Sequence, residues 1–285
     1  MNDLLAQILS MEDKPDVRTE IVRGPFKYPG SKFRSISDLL PHLPYRRKFI
    51  DVCGGTGVVL TNRNPSQIEV FNDRHSGITS FFRTIRTDAG CLKLIQRLEH
   101  TIHSKEEFYY CSRTWDHDSL DDLERAARWY YAVCHSFNGK CVDWDRVTNS
   151  PPSGGKIQRA LTSFPRISLR FRQVQVDNLD WRMMLRDYDS PDAVFYIDPP
   201  YWGIANPYLH NWTEQDHLEC CERVSHLSGF AALSGYDLPG HPYNKFNFWS
   251  AKVRWGVRTS MNGKVGEDKD SCERIDAEEC LWIKE

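Results

Sequence analysis

The stretch AVFYIDPPYW at residues 193–202 constrains this chain more than any other. Residues 193–197 are β-favouring and show no polar alternation, the pattern of a parallel strand covered on both faces. The strand must then stop, because the successive prolines Pro199 and Pro200 cannot donate to a sheet ladder. An acidic side chain (Asp198), a rigid backbone and an aromatic ring (Tyr201) are thereby presented at the carboxyl end of a strand, where open α/β sheets bind ligands. Asp-Pro-Pro on its own also suits a plain strand-ending turn, so its meaning depends on the rest of the chain.

Strand and helix patterns alternate on both flanks. Residues 48–52 read as a strand that includes Asp51, 53–57 (CGGTG) as a glycine loop opening a helix, and IEVFNDR as a second strand ending in Asp73. Glycines at positions such as Gly55 and Gly57 permit sharp turning and close approach of a ligand to the backbone. An acid ending the second strand suits the two hydroxyls of a ribose. Further on, FRQVQVD reads as a strand ending at Asp177, NLDWRMMLRDY as a helix, TEQDHLECCERVSHL as a helix capped by Thr213, and GFAALSGYD as a strand. Two more strand-like runs, NFWSAKVRW and ECLWIKE, flank a polar loop with Arg258, Ser260, Asn262 and Lys264. Near the start, Pro29-Gly30 marks a turn and Ser31 an N-cap, predicting a helix over 32–40 whose beginning, near Lys27 and Lys32, suits an anion.

Between residues 75 and 170 helical periodicity takes over, and aromatic residues interleave with basic ones. Trp129, Tyr130 and Tyr131 are expected in the core, and a turn-rich loop comes after them. The expected architecture is α/β: a doubly wound, mostly parallel, Rossmann-like sheet interrupted by a helical insertion. The expected division is an N-terminal extension (1–22), a catalytic domain (23–74 and 171–285) and the insertion (75–170).

Composition narrows the class of function. With 285 residues and 40% hydrophobic content the chain can bury a large core. It has no apolar run of membrane-spanning length, and its opening MNDLLAQILSMEDKPD has no basic segment ahead of an apolar one, so a cytoplasmic location is expected. Nine cysteines without a C-x-x-C pair point to reduced thiols rather than a disulfide framework. Cys111, His117, Cys134 and Cys141 match no recurrent zinc spacing, and no metal is expected. A net charge of −2 argues against an obligate polyanion binder, yet Arg23, Lys27, Lys32, Arg34, Arg46, Arg47 and Lys48 crowd one stretch. Lys156, Arg159, Arg166, Arg170 and Arg172 form a second basic cluster, suited to phosphates or to a solvated face.

The residues after the central strand favour a nucleobase carrying an exocyclic amine. A carboxylate accepts hydrogen bonds and donates none, so Asp198 can hold one amine proton while the Pro199 carbonyl holds another. Tyr201 can stack on the base for roughly 1–3 kcal/mol. The amine's lone pair is then free to turn out of the ring plane toward an electrophile.

With these residues assembled, the chain resembles the Dam-type family of DNA adenine-N6 methyltransferases over roughly residues 23–285. The family's K-W/Y-x-G-x-K pattern is similar to Lys27, Tyr28, Pro29, Gly30, Ser31 and Lys32, and its acid plus P-F-x-G-x-G loop to Asp51, Val52, Cys53, Gly54, Gly55, Thr56 and Gly57. Its ribose acid matches Asp73, its D-P-P-Y is intact, and its Y-N-G-x-C resembles Phe137, Asn138, Gly139, Lys140 and Cys141. An R-x-S ahead of a closing hydrophobic strand matches Arg258 to Ser260 and ECLWIKE.

The resemblance implies S-adenosyl-L-methionine as donor and a flipped-out adenine in duplex DNA as acceptor, with no membrane and no obligate protein partner. It assigns donor contacts to Tyr28, Lys32, Asp51, Cys53, Gly55, Gly57, Asp73, Asp177 and Asp198, and catalysis to Asp198, Pro199, Pro200 and Tyr201. DNA contacts fall to Lys27, Asn138, Lys140, Arg159, Arg166, Arg170, Arg258 and Ser260. Two departures stand out: Val52-Cys53 replaces the family's Pro-Phe, and Lys140-Cys141-Val142 replaces the Leu-Cys-Arg of relatives reading GATC. The missing arginine removes a bidentate guanine contact, so GATC does not follow as the target. RNA adenine or cytosine N4 as acceptor, and a non-catalytic nucleic-acid-binding relative, are the competing readings.

Overall fold

A computed structural model describes residues 21–136, 139–144, 157, 161–202, 209–210, 212–254, 259–263 and 273–285. Nine strands are present among them: β1 (Lys48–Asp51), β2 (Ile68–Asn72), β3 (Gln175–Asp177), β4 (Ala193–Ile197), β5 (Phe230–Tyr236), β6 (Ala251–Arg254), β7 (Thr259–Gly263), β8 (Glu273–Ala277) and β9 (Glu279–Lys284). Seven form one sheet in the order β3-β2-β1-β4-β5-β9-β6, and β7 with β8 makes a separate two-stranded sheet. The pairs β1–β2, β1–β4 and β4–β5 are parallel, whereas β9 runs antiparallel to both β5 and β6. This is the expected mostly parallel α/β sheet.

β1 sits where the connections divide, since it pairs on one side with β2, its successor in the chain, and on the other with the much later β4. Such a switch point opens a crevice beyond the carboxyl ends of the two central strands. There the chain has Asp51 at the end of β1 and Asp198 just after β4. Every residue of β4 is buried, as a strand without polar alternation requires.

Among the described residues the α-helices are α1 (Ile36–Leu39), α2 (Val58–Asn62), α3 (Ser76–Ile85), α4 (Asp88–Glu99), α5 (Lys105–Thr114), α6 (Asp122–His135), α7 (Phe164–Phe171), α8 (Trp181–Tyr188) and α9 (Glu214–Ser225). Thr213 caps α9 as anticipated, in a reciprocal capping box with Asp216.

Three local expectations are corrected. Residues 32–40 do not form one helix: a 3-10 turn at Lys32–Arg34 is followed by the single turn of α1 and a second 3-10 turn at Leu40–His42. Ser35, at φ −114°, interrupts the run, and Pro41 cannot supply an intrahelical N–H. The Ser31 hydroxyl, ahead of that first turn, lies 3.1 Å from that of Thr56. The strand anticipated over 171–177 is confined to β3, because Phe171 ends α7 and stacks on Phe82 at 4.4 Å. The polar loop before the last strand contains the β7–β8 ladder, whose mixed, glycine-containing sequence gives little strand signal.

The chain divides into two compact units. The first comprises the described residues up to Phe33, with Gly55–Asn62 and His75–Asn178. Its core is aromatic: Phe81 stacks on Tyr130 at 5.2 Å, Phe26 meets Trp129 edge-on at 4.8 Å, and Trp129, Tyr130 and Tyr131 are all buried. The second comprises Arg34–Gly54, Arg63–Arg74 and Leu179–Glu285. Within it Arg182 of α8 bridges to Asp216 and Glu219 of α9, each at 2.6 Å. Among the described residues no helix is long and apolar enough to cross a membrane.

Candidate active site

The second unit carries the acidic end of the sheet. Asp51 is 1% exposed, while Asp73, immediately after β2, and Asp198, immediately after β4, are half-buried. All three act on Cys53: burial, followed by the charges of Asp73 and Asp198, then Cys220 and Asp51, pushes its thiol well above the usual range. Cys53 is therefore a neutral group facing a concentrated negative field.

Asn72 holds the start of the glycine loop against β2. Its side-chain amide donates to the carbonyls of Val52 (2.9 Å) and Leu179 (3.2 Å) and accepts from the Leu179 amide (2.8 Å), while its own carbonyl receives the Gly54 amide at 2.8 Å. Glycine is required at 54 by space, since a Cβ there would lie 2.1 Å from the Phe71 ring. The sequence singled out Asp73 and passed over Asn72, whose clamp depends on contacts far apart in the chain.

The D-P-P-Y tetrapeptide is held at both ends. Asp198 Oδ1 accepts a hydrogen bond from the Ser234 hydroxyl at 2.5 Å, and the Tyr201 hydroxyl donates to Glu279 Oε1 at 2.9 Å. The Tyr201 ring also meets Tyr236 edge-on, with centroids 4.6 Å apart. Burial, then the Asp198 and Glu279 charges, drives the Tyr201 phenol well above its ordinary range, so it remains a hydrogen-bond donor. Pro199 is buried and Pro200 half-buried.

In the first unit, Gly55 adopts φ +51° and a Cβ there would find nothing within 4 Å, whereas Gly57, at φ +66°, is packed against Phe82 and Phe171. Tyr28 is half-buried, edge-on to Phe26 at 6.2 Å and to His75 at 6.3 Å. Lys32 is buried rather than presented to an anion at a helix start, and its ammonium donates to the Gly30 carbonyl at 2.9 Å. Asp177 is half-buried and accepts from the Gln175 amide at 3.0 and 3.1 Å.

The nucleic-acid candidates are partly visible. Lys27 and Lys140 are both exposed, and the structure brings their segments together: a Cβ on Gly139, which has φ +71°, would lie 2.3 Å from the Lys27 carbonyl oxygen. Arg166 is exposed and Arg170 half-buried on α7. Ser260 lies on β7 opposite Asp276. Asn138, Arg159 and Arg258 lie outside the described residues.

Comparison with known proteins bears on the same residues. The family model for D12 class N6 adenine-specific DNA methyltransferases matches residues 28–231. A DNA N-6-adenine-methyltransferase of Escherichia phage P1 is 29% identical over 129 residues, a stretch covering 45% of this chain but only 17% of that longer protein. The type II methyltransferase M1.LlaDCHI of Lactococcus lactis subsp. cremoris is 24% identical over 283 residues, covering 88% of this chain and 95% of that one. Among solved structures, the rRNA methyltransferase aviRa of Streptomyces viridochromogenes aligns over 95% of this chain and 90% of its own, with 12% identity and a TM-score of 0.38. The family match spans well over half of the chain and contains the Gly-rich loop, Asp73 and the intact D-P-P-Y: the chain belongs to the D12 class of N6 adenine-specific DNA methyltransferases.

Proposed function

We propose that this protein transfers a methyl group from S-adenosyl-L-methionine to N6 of an adenine flipped out of duplex DNA. The observation that carries the reading is the position of Asp198 at the sheet's switch point, fixed by a hydrogen bond and followed by a rigid Pro-Pro-Tyr. A carboxylate has capacity for several hydrogen bonds, so Asp198 accepts one amine proton while it holds Ser234. The Pro199 carbonyl accepts the other, and Tyr201 stacks on the base. Unstacking the adenine costs a few kcal/mol, which these contacts offset.

The residues fit the donor. S-adenosyl-L-methionine supplies a methyl group activated by a sulfonium, together with a ribose and an α-ammonium. Its positive charges suit the field of Asp51, Asp73 and Asp198 around Cys53, and its ribose hydroxyls suit Asp73 beyond the second strand. The open space over Gly55 leaves the loop backbone approachable. The family resemblance adds Tyr28, Lys32 and Gly57 to the donor contacts, and Asp177 joins them as the acid at the end of β3. Cys53, held as a thiol, does not compete as a nucleophile for the methyl group. Holding amine and methyl in register is the main catalytic contribution, worth about 7–11 kcal/mol when the attack geometry is pre-formed. Asp198 orients and polarises the amine and does not remove its proton before transfer.

On the DNA side, the exposed Lys27 and Lys140, on segments that approach each other at Gly139, suit a groove edge, and Arg166 and Arg170 suit phosphates. Asn138, Arg258 and Ser260 complete the set by resemblance, and Arg159 by its place in the second basic cluster.

The test is incubation with radiolabelled S-adenosyl-L-methionine and, separately, duplex DNA, RNA or no acceptor, followed by nucleoside analysis. Label in N6-methyladenine from duplex DNA is expected. Label in N4-methylcytosine, in RNA alone, or nowhere would overturn the reading in favour of a different acceptor or a non-catalytic binder.

A further inference from the structure

We infer that Ser234 and Glu279 are positioning residues for the methylation step, holding opposite ends of the 198–201 tetrapeptide so that Asp198, the Pro199 carbonyl and Tyr201 are pre-set around the target amine. The inference rests on the reading of that tetrapeptide as the amine site. Both residues lie beyond residue 231, where the family match ends, and none of the matched family patterns assigns either of them a role.

The geometry follows from strand register. Ile197 at the end of β4 pairs with Leu233 of β5, which places the next residue, Ser234, beside Asp198; its hydroxyl donates to Oδ1 at 2.5 Å. Ser234 is 1% exposed, so water does not compete for that bond. Two residues further along β5, Tyr236 pairs with Glu279 of antiparallel β9. Glu279 accepts from the Tyr201 hydroxyl at 2.9 Å, and Tyr236 meets the Tyr201 ring. One β5–β9 ladder thus serves both ends of the tetrapeptide. The two prolines between them have fixed φ, so anchoring the ends also limits where the Pro199 carbonyl points.

A tether of this kind acts on turnover. With one oxygen of its carboxylate committed to Ser234, Asp198 has a defined orientation for the amine, and losing that bond loosens it. Tyr201 without its hydroxyl tether still stacks, with less control of the ring plane. Neither contact touches donor or DNA directly, so ground-state binding is left nearly intact.

The test is steady-state methylation by the full chain, with melting temperature and DNA affinity measured on the same preparations. Ser234→Ala and Glu279→Ala are each expected to lower kcat by about 10- to 100-fold, the range of one hydrogen bond to a charged group, with KM for DNA changed less than about threefold. Glu279→Gln, which keeps an acceptor oxygen, should stay within about threefold of the parent. Tyr201→Phe combined with Glu279→Ala should be no slower than the slower single variant, because both remove the same bond. Additive losses, a Glu279→Gln variant as slow as Glu279→Ala, or parallel losses of melting temperature and DNA affinity would overturn the inference. An unaltered chain that fails to methylate adenine sinks the underlying reading and the inference with it, whereas fully active alanine variants of an active parent sink the inference alone.

Discussion

Asp73 comes directly after β2, is half-buried, and contributes to the charge that keeps Cys53 protonated, yet it belongs to no strand ladder. An acid so placed suits the ribose hydroxyls of a nucleoside. Asp73→Ala is expected to weaken S-adenosyl-L-methionine binding about tenfold or more, the scale of one or two hydrogen bonds to a charged group. DNA affinity without donor should be unchanged. Titration calorimetry checks this, and an unaltered donor affinity would place the ribose elsewhere. Cys53 stands where the family usually has an aromatic residue, so the proposed donor site has a small, neutral thiol there in place of a ring.

The packing of α9, β5, β9 and the 3-10 turn Pro242–Lys245 has its own acid sensitivity. His217 on α9 lies 2.6 Å from the Tyr243 hydroxyl, and His241 caps the turn while stacking on Trp282 at 4.7 Å. Burial, then the charge of His241, lowers His217 to about 3; burial, with Lys252 adding to it against Asp237, lowers His241 to about 4. Both rings are neutral in the fold and become charged when the unfolded chain passes its ordinary value near 6.5. Their stabilisation is thus complete above about pH 6.5 and is lost as pH falls toward 4, because the unfolded state binds protons that the fold refuses. Between pH 7.5 and 5.5 the pair should cost on the order of 3 kcal/mol of unfolding free energy, and His241→Asn should remove about half of that loss. Urea unfolding at the two pH values measures it; a variant with the parent's full pH dependence would contradict the assignment.

Elements with one-sided physics were legible in the sequence. β4 is buried on both faces and lacks polar alternation, and Thr213 with Asp216 makes the capping box that opens α9. α5 escaped notice because only Phe108 and Cys111 of its ten residues are buried, leaving no clear stripe. α7 was obscured by Pro165, which is tolerated because it stands in the first turn, where an N–H is not needed. The contacts of Ser234, Glu279 and Asn72 are illegible for another reason. Ser234 and Asp198 are 36 residues apart and Glu279 and Tyr201 are 78 apart, so only strand register brings them together.

For the whole molecule, the sheet order supplies the logic. Two parallel strands that diverge from β1 leave acids at the carboxyl ends of the switch point, and the later antiparallel strand β9 returns to brace the tetrapeptide after β4. Membership of the D12 class fits that arrangement, since a base amine and a methyl donor both need oriented acceptors at one end of a rigid sheet. Asp198 is the residue on which this account depends. The decisive measurement compares the parent chain with Asp198→Ala in two assays on one duplex: N6-methyladenine formed per enzyme, and DNA affinity. Loss of methylation by about a hundred- to a thousandfold, the scale of removing an essential polar contact in the transition state, with DNA affinity within a few fold, is the predicted result. Equal losses of binding and turnover, or substantial methylation by Asp198→Ala, would contradict it.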